Sequence, residues 1–574
     1  MAFVIGIIMA LAVSAYATAL RLDRDRAFYP SACCAWHPGF LPRAAGHESR
    51  RTRLVASLVW RIRRRCGRLS GVAARTAINS AYNHRLTRLA FFGLTHYRRG
   101  FMSGHSHHDH ADHTAHSHHE HGHGAHHHGD GPVVHGVAAN ARAAYDDAYA
   151  AAVPDAGGSV VHVDLDAREV DWEFTPGSLT RAWGFNGQIP GPTIEARVGD
   201  VLEVRITNRL PEPTTIHWHG LQIPAAMDGT DMVQHPIAAG ETFVYRFRLP
   251  DAGTFWYHPH SNEVVQLERG LYGAIVVRGP NEPTFDAERV LVLDDIELDR
   301  KGQIKPPGWW IEQHDGRQGN TRLVNGKTEP TLTIAAGQVE RWRIVNASSA
   351  RYVRLSIGER PFTIIGTDGG LIDAPVTVNE ILLTPADRVE LAVGPFAEGE
   401  TLEIESLPYN RMTVARSRRD KFATLSVGPA APSRATIPTT LRVIEPLALG
   451  TTAPTREVHL GFKPSLRHGV DFVINKEPHH RDAPVKVGEL QVWDVINDTM
   501  MDHPFHLHGF FFQVVDVNGE SPPFRSWEDT VNVPPKGRVR IAFVPDDRPG
   551  EWMYHCHILE HHASGMMAHF EVVR

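Results

Sequence analysis

Cysteine is scarce in this chain: four among 574 residues, with Cys33, Cys34 and Cys66 crowded into the N-terminal part. Cys556 therefore has no disulfide partner in the region that patterns as folded, which excludes a disulfide scaffold and favours a ligand or a buried thiol. Lysine is absent from Arg21 to Phe101, although that stretch holds seventeen arginines against three acids. It carries no amphipathic period. It reads either as a basic, membrane-proximal or disordered segment, or as sequence ahead of a true start at Met102, and the complete bias toward arginine favours the second reading. No cation precedes the apolar stretch Met1 to Leu20, so a secretory signal would lack its usual n-region, although Ala15-Tyr16-Ala17 offers a cleavage site. A signal or a membrane anchor is the expectation there, and with it an extracytoplasmic location; a start at Met102 would make the protein cytoplasmic. Strong net charge is lacking too, at −6, which gives no reason to expect nucleic acid as a partner.

Histidine, glycine and proline are present in quantity. Thirteen histidines lie between His105 and His128 among Gly, Ser, Asp and Ala, a composition that packs no core and binds divalent metals loosely. Residues 138–152 pattern as a short helix, and 154–158 as a linker. Beyond Gly158 short β-branched strands alternate with turn signals, an all-β, sandwich-like rhythm.

That rhythm repeats. Gly199 to Asn208, Gly337 to Asn346 and Gly488 to Asn497 each enclose an alternating strand, and each pair is nine residues apart. Nine residues after the asparagine the first copy has His217-Trp218-His219-Gly220 and the third His506-Leu507-His508-Gly509. The middle copy has Leu355-Ser356-Ile357-Gly358 at that place. A second pair follows the same rule: Gly253-x4-His258-Pro259-His260 in the first copy, Gly550-x4-His555-Cys556-His557 in the third. The expected organisation is an N-terminal apolar and arginine-rich region (1–101), a histidine tract with linker (102–157), and three homologous β-sandwich domains (158–282, 283–435, 436–574). The middle one is expected to be a metal-free spacer.

The run His555-Cys556-His557, with His561 and Met566 behind it, combines a thiolate, imidazoles and a thioether, the ligand set of a blue-copper electron-transfer centre. In a strand, His555 and His557 share one face and Cys556 takes the other, so one metal would sit at the cysteine and another behind its neighbours. Four H-x-H pairs, two each from domains one and three, amount to an eight-imidazole cluster across one interface. Reducing O2 to water takes four electrons, which such a cluster fed by a separate one-electron site can collect and deliver.

On these motifs the chain, from about Gly158 to Arg574, resembles the multicopper oxidases, the laccase-like three-domain family. The resemblance implies three consecutive cupredoxin-like Greek-key domains and four copper ions. It assigns His503, Cys556 and His561 to a type 1 copper with Met566 as weak axial ligand. It assigns His217 and His506 to a type 2 copper, and His219, His258, His260, His508, His555 and His557 to a type 3 pair. It further implies that Asp228 assists proton delivery. Where many bacterial relatives carry Glu after the last type 1 histidine this chain has His562, so the relay falls to Glu560 or to His562. O2 is the expected acceptor. The absence of a methionine-rich insertion makes a phenolic or aromatic amine donor the expectation, while the histidine tract favours the alternative, a low-valent metal ion (Cu⁺, Fe²⁺ or Mn²⁺) and a role in copper tolerance. A copper-sequestering or scaffold protein is the reading from a different class, and the complete ligand set opposes it. Oligomeric state is not legible.

Overall fold

Each glycine of the nine-residue repeat opens a strand from a left-handed turn (φ +87, +81 and +75 at Gly199, Gly337 and Gly488), a conformation glycine adopts without steric penalty. Each asparagine closes that strand and ties down the loop beyond it. Asn208 Nδ2 donates to the Glu212 and Ile237 carbonyls, Asn346 Nδ2 to those of Arg351, Leu383 and Thr384, and Asn497 Nδ2 to those of Met501, Val533 and Pro534. Their Oδ1 atoms accept from the amide two residues on. These buried bonds explain why the glycine–asparagine spacing recurs: it sets the strand length and the exit angle of the loop that leads to the functional residues.

The computed structural model describes Val137 and residues 141–574 apart from 309, 414–417, 450–452 and 466–468. The apolar N-terminal stretch, the arginine-rich stretch and the histidine tract lie outside the described residues. Among the described residues no helix is long and apolar enough to cross a membrane. The helix expected at 138–152 is present as Arg142–Ala151, held by the Tyr145 hydroxyl donating to the Val244 carbonyl at 2.6 Å.

Three sandwiches follow. In each, the strand ending in the repeat's asparagine pairs parallel with the first long strand of its unit: Val201–Asn208 with Val160–Thr175, Glu340–Asn346 with Ala287–Ile296, and Gln491–Asn497 with Arg456–Ser465. The remaining pairings of these sheets are mostly antiparallel, and each sandwich packs a core from both of its sheets, around Trp218 in the first, Trp342 in the second and Trp493 in the third. The fold is all-β, three consecutive cupredoxin-like sandwiches. In the middle one Leu355 and Ile357, which stand where the flanking domains have histidines, are buried in its hydrophobic core.

The same hydrogen-bond register recurs where it matters for chemistry. His217–His219 pairs antiparallel with Gly253–His258 so that His217 faces His258. His503–Leu507 pairs with Gly550–Cys556 so that His506 faces His555. Register on a strand pair decides which side chains share a face, and here it brings one histidine from each H-x-H pair together within each domain.

Candidate metal centre

Cys556 ends its strand and is fully buried. Its Sγ lies 3.5 Å from His503 Nδ1 and 3.6 Å from His561 Nδ1, and the two nitrogens are 3.2 Å apart. The outer nitrogens are engaged from within the protein. His503 Nε2 donates to Thr499 Oγ1 at 2.8 Å and His561 Nε2 to the His314 carbonyl at 2.9 Å. Both Nδ1 atoms are thereby left as lone pairs facing the sulfur, the arrangement that outer hydrogen bonds impose on ligating imidazoles. Burial lowers His503 to about 3 and pushes the Cys556 thiol up to about 12; a bound cation is what would favour the thiolate there. Met566 is buried in the same core, and its carbonyl accepts from the Cys556 amide at 3.1 Å.

Behind the cysteine the eight histidines of the H-x-H pairs converge. Three triads have ligand atoms within 4.8 Å of one another: His217, His219 and His506; His219, His258 and His557; His260, His508 and His555. Their hydrogen bonds obey an internal two-fold rule. His217 Nδ1 donates to the Asp228 carbonyl and His506 Nδ1 to the Asp529 carbonyl, both at 3.0 Å. His258 Nδ1 donates to the Pro259 carbonyl at 2.9 Å and His555 Nδ1 to the Cys556 carbonyl at 3.0 Å. The carboxylates cross over: Asp228 Oδ2 accepts from His508 Nδ1 at 2.8 Å, and Asp529 Oδ1 from His219 Nε2 at 3.2 Å.

The inward nitrogens are the test of a metal. Nε2 of His217, His260 and His506 and both ring nitrogens of His557 are buried without a hydrogen-bond partner. His508 Nε2 and His555 Nε2 face each other at 3.0 Å although each ring already donates through its other nitrogen. Two lone pairs that close, in a site where burial keeps the imidazoles neutral, are reconciled by a cation between them. The donor set fits copper better than zinc, since one thiolate with two imidazoles, and the Met566 thioether buried in the same core, suits a redox metal, whereas structural zinc sites are closed by four Cys or His ligands.

Of the residues expected to handle protons, Asp228 is at the cluster, with its buried Oδ1 3.3 Å from His217 Nδ1. Glu560 is elsewhere. Its carboxyl faces the Arg317 amide and a cavity beside the helix Trp310–Asp315, and burial raises it to about 7. His562 occupies the cluster edge instead, stacked on His555 at 4.2 Å and edge-on to His260 at 5.0 Å, with its Nδ1 against Glu263 of domain one. Burial alone would raise Glu263, but His562 and His260 hold it at about 2.

Asp529 was not legible in the sequence. It is the structural counterpart of Asp228, yet Asp228 follows His217 by eleven residues and Asp529 follows His506 by twenty-three, so a fixed-offset comparison passes over it. Nor is the middle domain a mere spacer. It contributes no ligand, but its buried Arg388 grips Asp529 with both Nη atoms, at 2.7 Å for Nη1, and the helix Trp310–Asp315, between its strands Ala287–Ile296 and Thr321–Val324, provides the His314 carbonyl.

Comparison with known proteins bears on the same residues. Three family models described as multicopper oxidase match residues 166–282, 293–395 and 452–574. The multicopper oxidase MmcO of Mycobacterium tuberculosis is 32% identical over 440 residues, covering 69% of this chain and 84% of that protein. The multicopper oxidase mco of Staphylococcus epidermidis is 30% identical over 426 residues, covering 71% and 88%. Among solved structures, a multicopper oxidase from Campylobacter jejuni described as a metallo-oxidase is similar with a TM-score of 0.65 and 34% identity, covering 72% of this chain and 91% of that one.

Proposed function

The chain belongs to the multicopper oxidase family, and from that premise we propose that it couples four one-electron oxidations of a low-valent metal ion to the reduction of O2 to water. It is a copper-dependent oxidase using O2 and a reducing substrate; the donor class, the count of four coppers and their distribution are the proposal. His503, Cys556 and His561, with Met566 axial, would hold the type 1 ion. His217 and His506 would hold the type 2 ion, and His219, His258, His260, His508, His555 and His557 the type 3 pair. Copper bound there would supply one-electron acceptance at the cysteine and electron storage for O2 at the cluster.

The protein's own part is positioning. The peptide run His555-Cys556-His557 joins the two sites directly. Burial of all eleven cysteine and histidine ligands but the intermediate His260 excludes bulk water. Asp228 and Asp529 each hold one imidazole of their own domain and one of the other, so the cluster's geometry depends on domain docking. Asp228 is proposed to assist proton delivery, and of the two residues open for the relay His562, against Glu263 and stacked on His555, is the one proposed to serve it.

One observation carries the donor class. Both type 1 imidazoles have their outer nitrogens capped from within, by Thr499 and by the His314 carbonyl, and Phe472 stacks on His561 at 3.8 Å. A phenol hydroxyl would therefore find no free imidazole nitrogen to hydrogen-bond, whereas outer-sphere electron transfer from a small ion needs none. Asp502, beside His503 in the chain, is buried and accepts from Tyr409 and Asn532, so it is not open to either donor. A phenolic or aromatic amine donor is the second reading, favoured by the exposed side chain of Phe462, 50% accessible, which packs on His314 and on the Phe472 that stacks on His561. Oxygen uptake by copper-loaded protein with Cu⁺, Fe²⁺ and a dimethoxyphenol decides between them: the metal-donor reading expects the larger kcat/KM with an ion, and a larger value with the phenol would reverse it. An extracytoplasmic location is also proposed, from the apolar Met1 to Leu20 stretch, and cell fractionation tests it.

A further inference from the structure

The end of the strand Val160–Thr175 in domain one meets two strands of domain two, Thr321–Val324 and Asp420–Ala430, around a cavity of about 560 Å³. Thr328 ties the two domains there, its amide and hydroxyl both donating to the Phe174 carbonyl. No residue of the cavity wall is a proposed copper ligand or is hydrogen-bonded to one. In that wall four cations, Arg322, Arg418, Arg419 and Lys421, face two carboxylates, Glu329 and Asp420. Arg419 is engaged by Glu405 and Glu359. The other three cations are short of acceptors. Asp420 alone receives Arg322 Nη2 at 2.8 Å, Arg418 Nε at 3.2 Å and Arg351 Nη1 at 3.2 Å. Arg322, with a side chain 10% exposed, has a buried Nε that meets no acceptor. Arg418 is exposed, and its two Nη atoms make no hydrogen bond among the described residues. Lys421 Nζ has its nearest carboxylates, Glu403 and Glu329, at 3.7 and 3.9 Å, beyond hydrogen-bond reach.

We propose that this cavity binds a phosphorylated sugar or polyol, with its phosphoryl group held by Arg322, Arg418 and Lys421. Three guanidinium groups crowded on one carboxylate repel one another, and a second anion among them relieves that repulsion. Guanidinium N–H donors match phosphoryl oxygens in pairs, and a lysine adds a point charge. A phosphoryl group offers three acceptor oxygens and close to two negative charges near neutral pH, whereas a carboxylate offers two oxygens and one charge. Inorganic phosphate would fill only a small part of the space. The rest of the wall says what else fits: every lining residue is polar or charged, including Thr175, Asn320, Thr321 and Thr328. Such a wall suits a body covered in hydroxyls and not an aromatic or aliphatic one. Thr175 comes from domain one and the cations from domain two, so a bound molecule would bridge the two domains and stabilise their docking.

Isothermal titration calorimetry on the full, copper-loaded chain at low salt, where charge interactions are least screened, tests the assignment with glucose 6-phosphate, inorganic phosphate and glucose. The sugar phosphate should bind as a single equivalent, inorganic phosphate more weakly, and glucose without measurable heat. Arg418→Gln and Lys421→Gln should each weaken the sugar phosphate by roughly tenfold or more, as expected when a hydrogen bond to a charged group is lost. Arg574→Gln, which removes an exposed arginine paired with Asp547, should leave it unchanged. Saturating sugar phosphate should also raise the thermal unfolding midpoint of the parent and of Arg574→Gln, and raise it less in the two cavity variants at the same concentration. Equal affinity for inorganic phosphate and the sugar phosphate would keep the phosphoryl site and overturn the sugar. Absence of saturable binding by either phosphate would overturn the proposal. So would binding that both cavity variants retain in full, since the anion would then sit elsewhere, at the copper cluster or on another basic surface.

Discussion

Arg388 gives the sharpest test of how the metal-free middle domain supports the cluster. Its side chain is fully buried, its two Nη atoms hold Asp529, and it also donates to the carbonyls of Thr254, Ala386 and Asp368. Replacing it by methionine, Arg388→Met, keeps most of the volume and removes the charge. Taking away one partner of a buried pair costs about 3–5 kcal/mol, because the other charge stays behind uncompensated. The expected value is near the lower end, about 3 kcal/mol, since Asp529 keeps the Thr530 hydroxyl at 2.9 Å and the His219 donor. Loss of orientation at His219 and His506 should also weaken copper at the cluster by roughly 10–100-fold, while the blue absorbance of the Cys556 site persists. Urea denaturation of the metal-free protein, read as a midpoint shift at unchanged slope, measures the first. Copper content after dialysis against a chelator measures the second. The double variant Arg388→Met/Asp529→Asn should be less damaged than the sum of its singles, by about 1–3 kcal/mol, as expected for groups in one network. A wild-type midpoint with undiminished copper in Arg388→Met, or strict additivity in the double variant, would refute the reasoning.

Three further outcomes are expected. Cys556→Ser should abolish the blue absorbance and donor oxidation while elemental analysis finds about three coppers instead of about four, since the histidine cluster keeps its own ligands. Gly229→Ala should lower apo-protein stability by about 2 kcal/mol or more and reduce cluster copper: a Cβ there would lie 1.7 Å from the Ile216 carbonyl oxygen in a backbone with φ +80, between Asp228 and the segment leading into His217. Glu390 is buried between Arg341 and Arg343; burial opposes its charge, yet the two guanidinium groups hold it at about 2 against an ordinary 4.5. A depressed carboxyl stabilises the fold fully above its ordinary value and loses that contribution as pH falls toward the folded one. Glu390→Gln should therefore cost about 3 kcal/mol at neutral pH, and its gap from wild type in denaturant midpoint should close between pH 4.5 and 2; a gap independent of pH would contradict the ion-pair account.

What the amino-acid sequence determined by itself was everything carried by short periods along the chain. The glycine–asparagine interval, the H-x-H pairs and the alternation that turns Cys556 away from His555 and His557 are local in sequence, and a strand's period of two makes them local in space. Three sandwiches, the blank middle copy, the four H-x-H pairs and the Cys556 run with His561 and Met566 were legible on that basis, whereas His503 entered only through the resemblance to the multicopper oxidases; the structure brings the eleven cysteine and histidine members together as two clusters. The groups that hold those ligands were not. Asp529 stands at a different offset from its counterpart Asp228, Arg388 lies on another domain, and Glu263 reaches His562 across an interface; no period relates them. Glu560 shows the converse, since its place beside His561 in the chain put it near the cluster on paper while a turn of helix points it into a different cavity. The H-x-H pairs follow from the pattern of one strand pair, and several of their hydrogen bonds stay within a domain, but those that His219, His508 and His561 make with Asp529, Asp228 and the His314 carbonyl cross between domains, and only the docking of three separate cores decides which polar groups meet there.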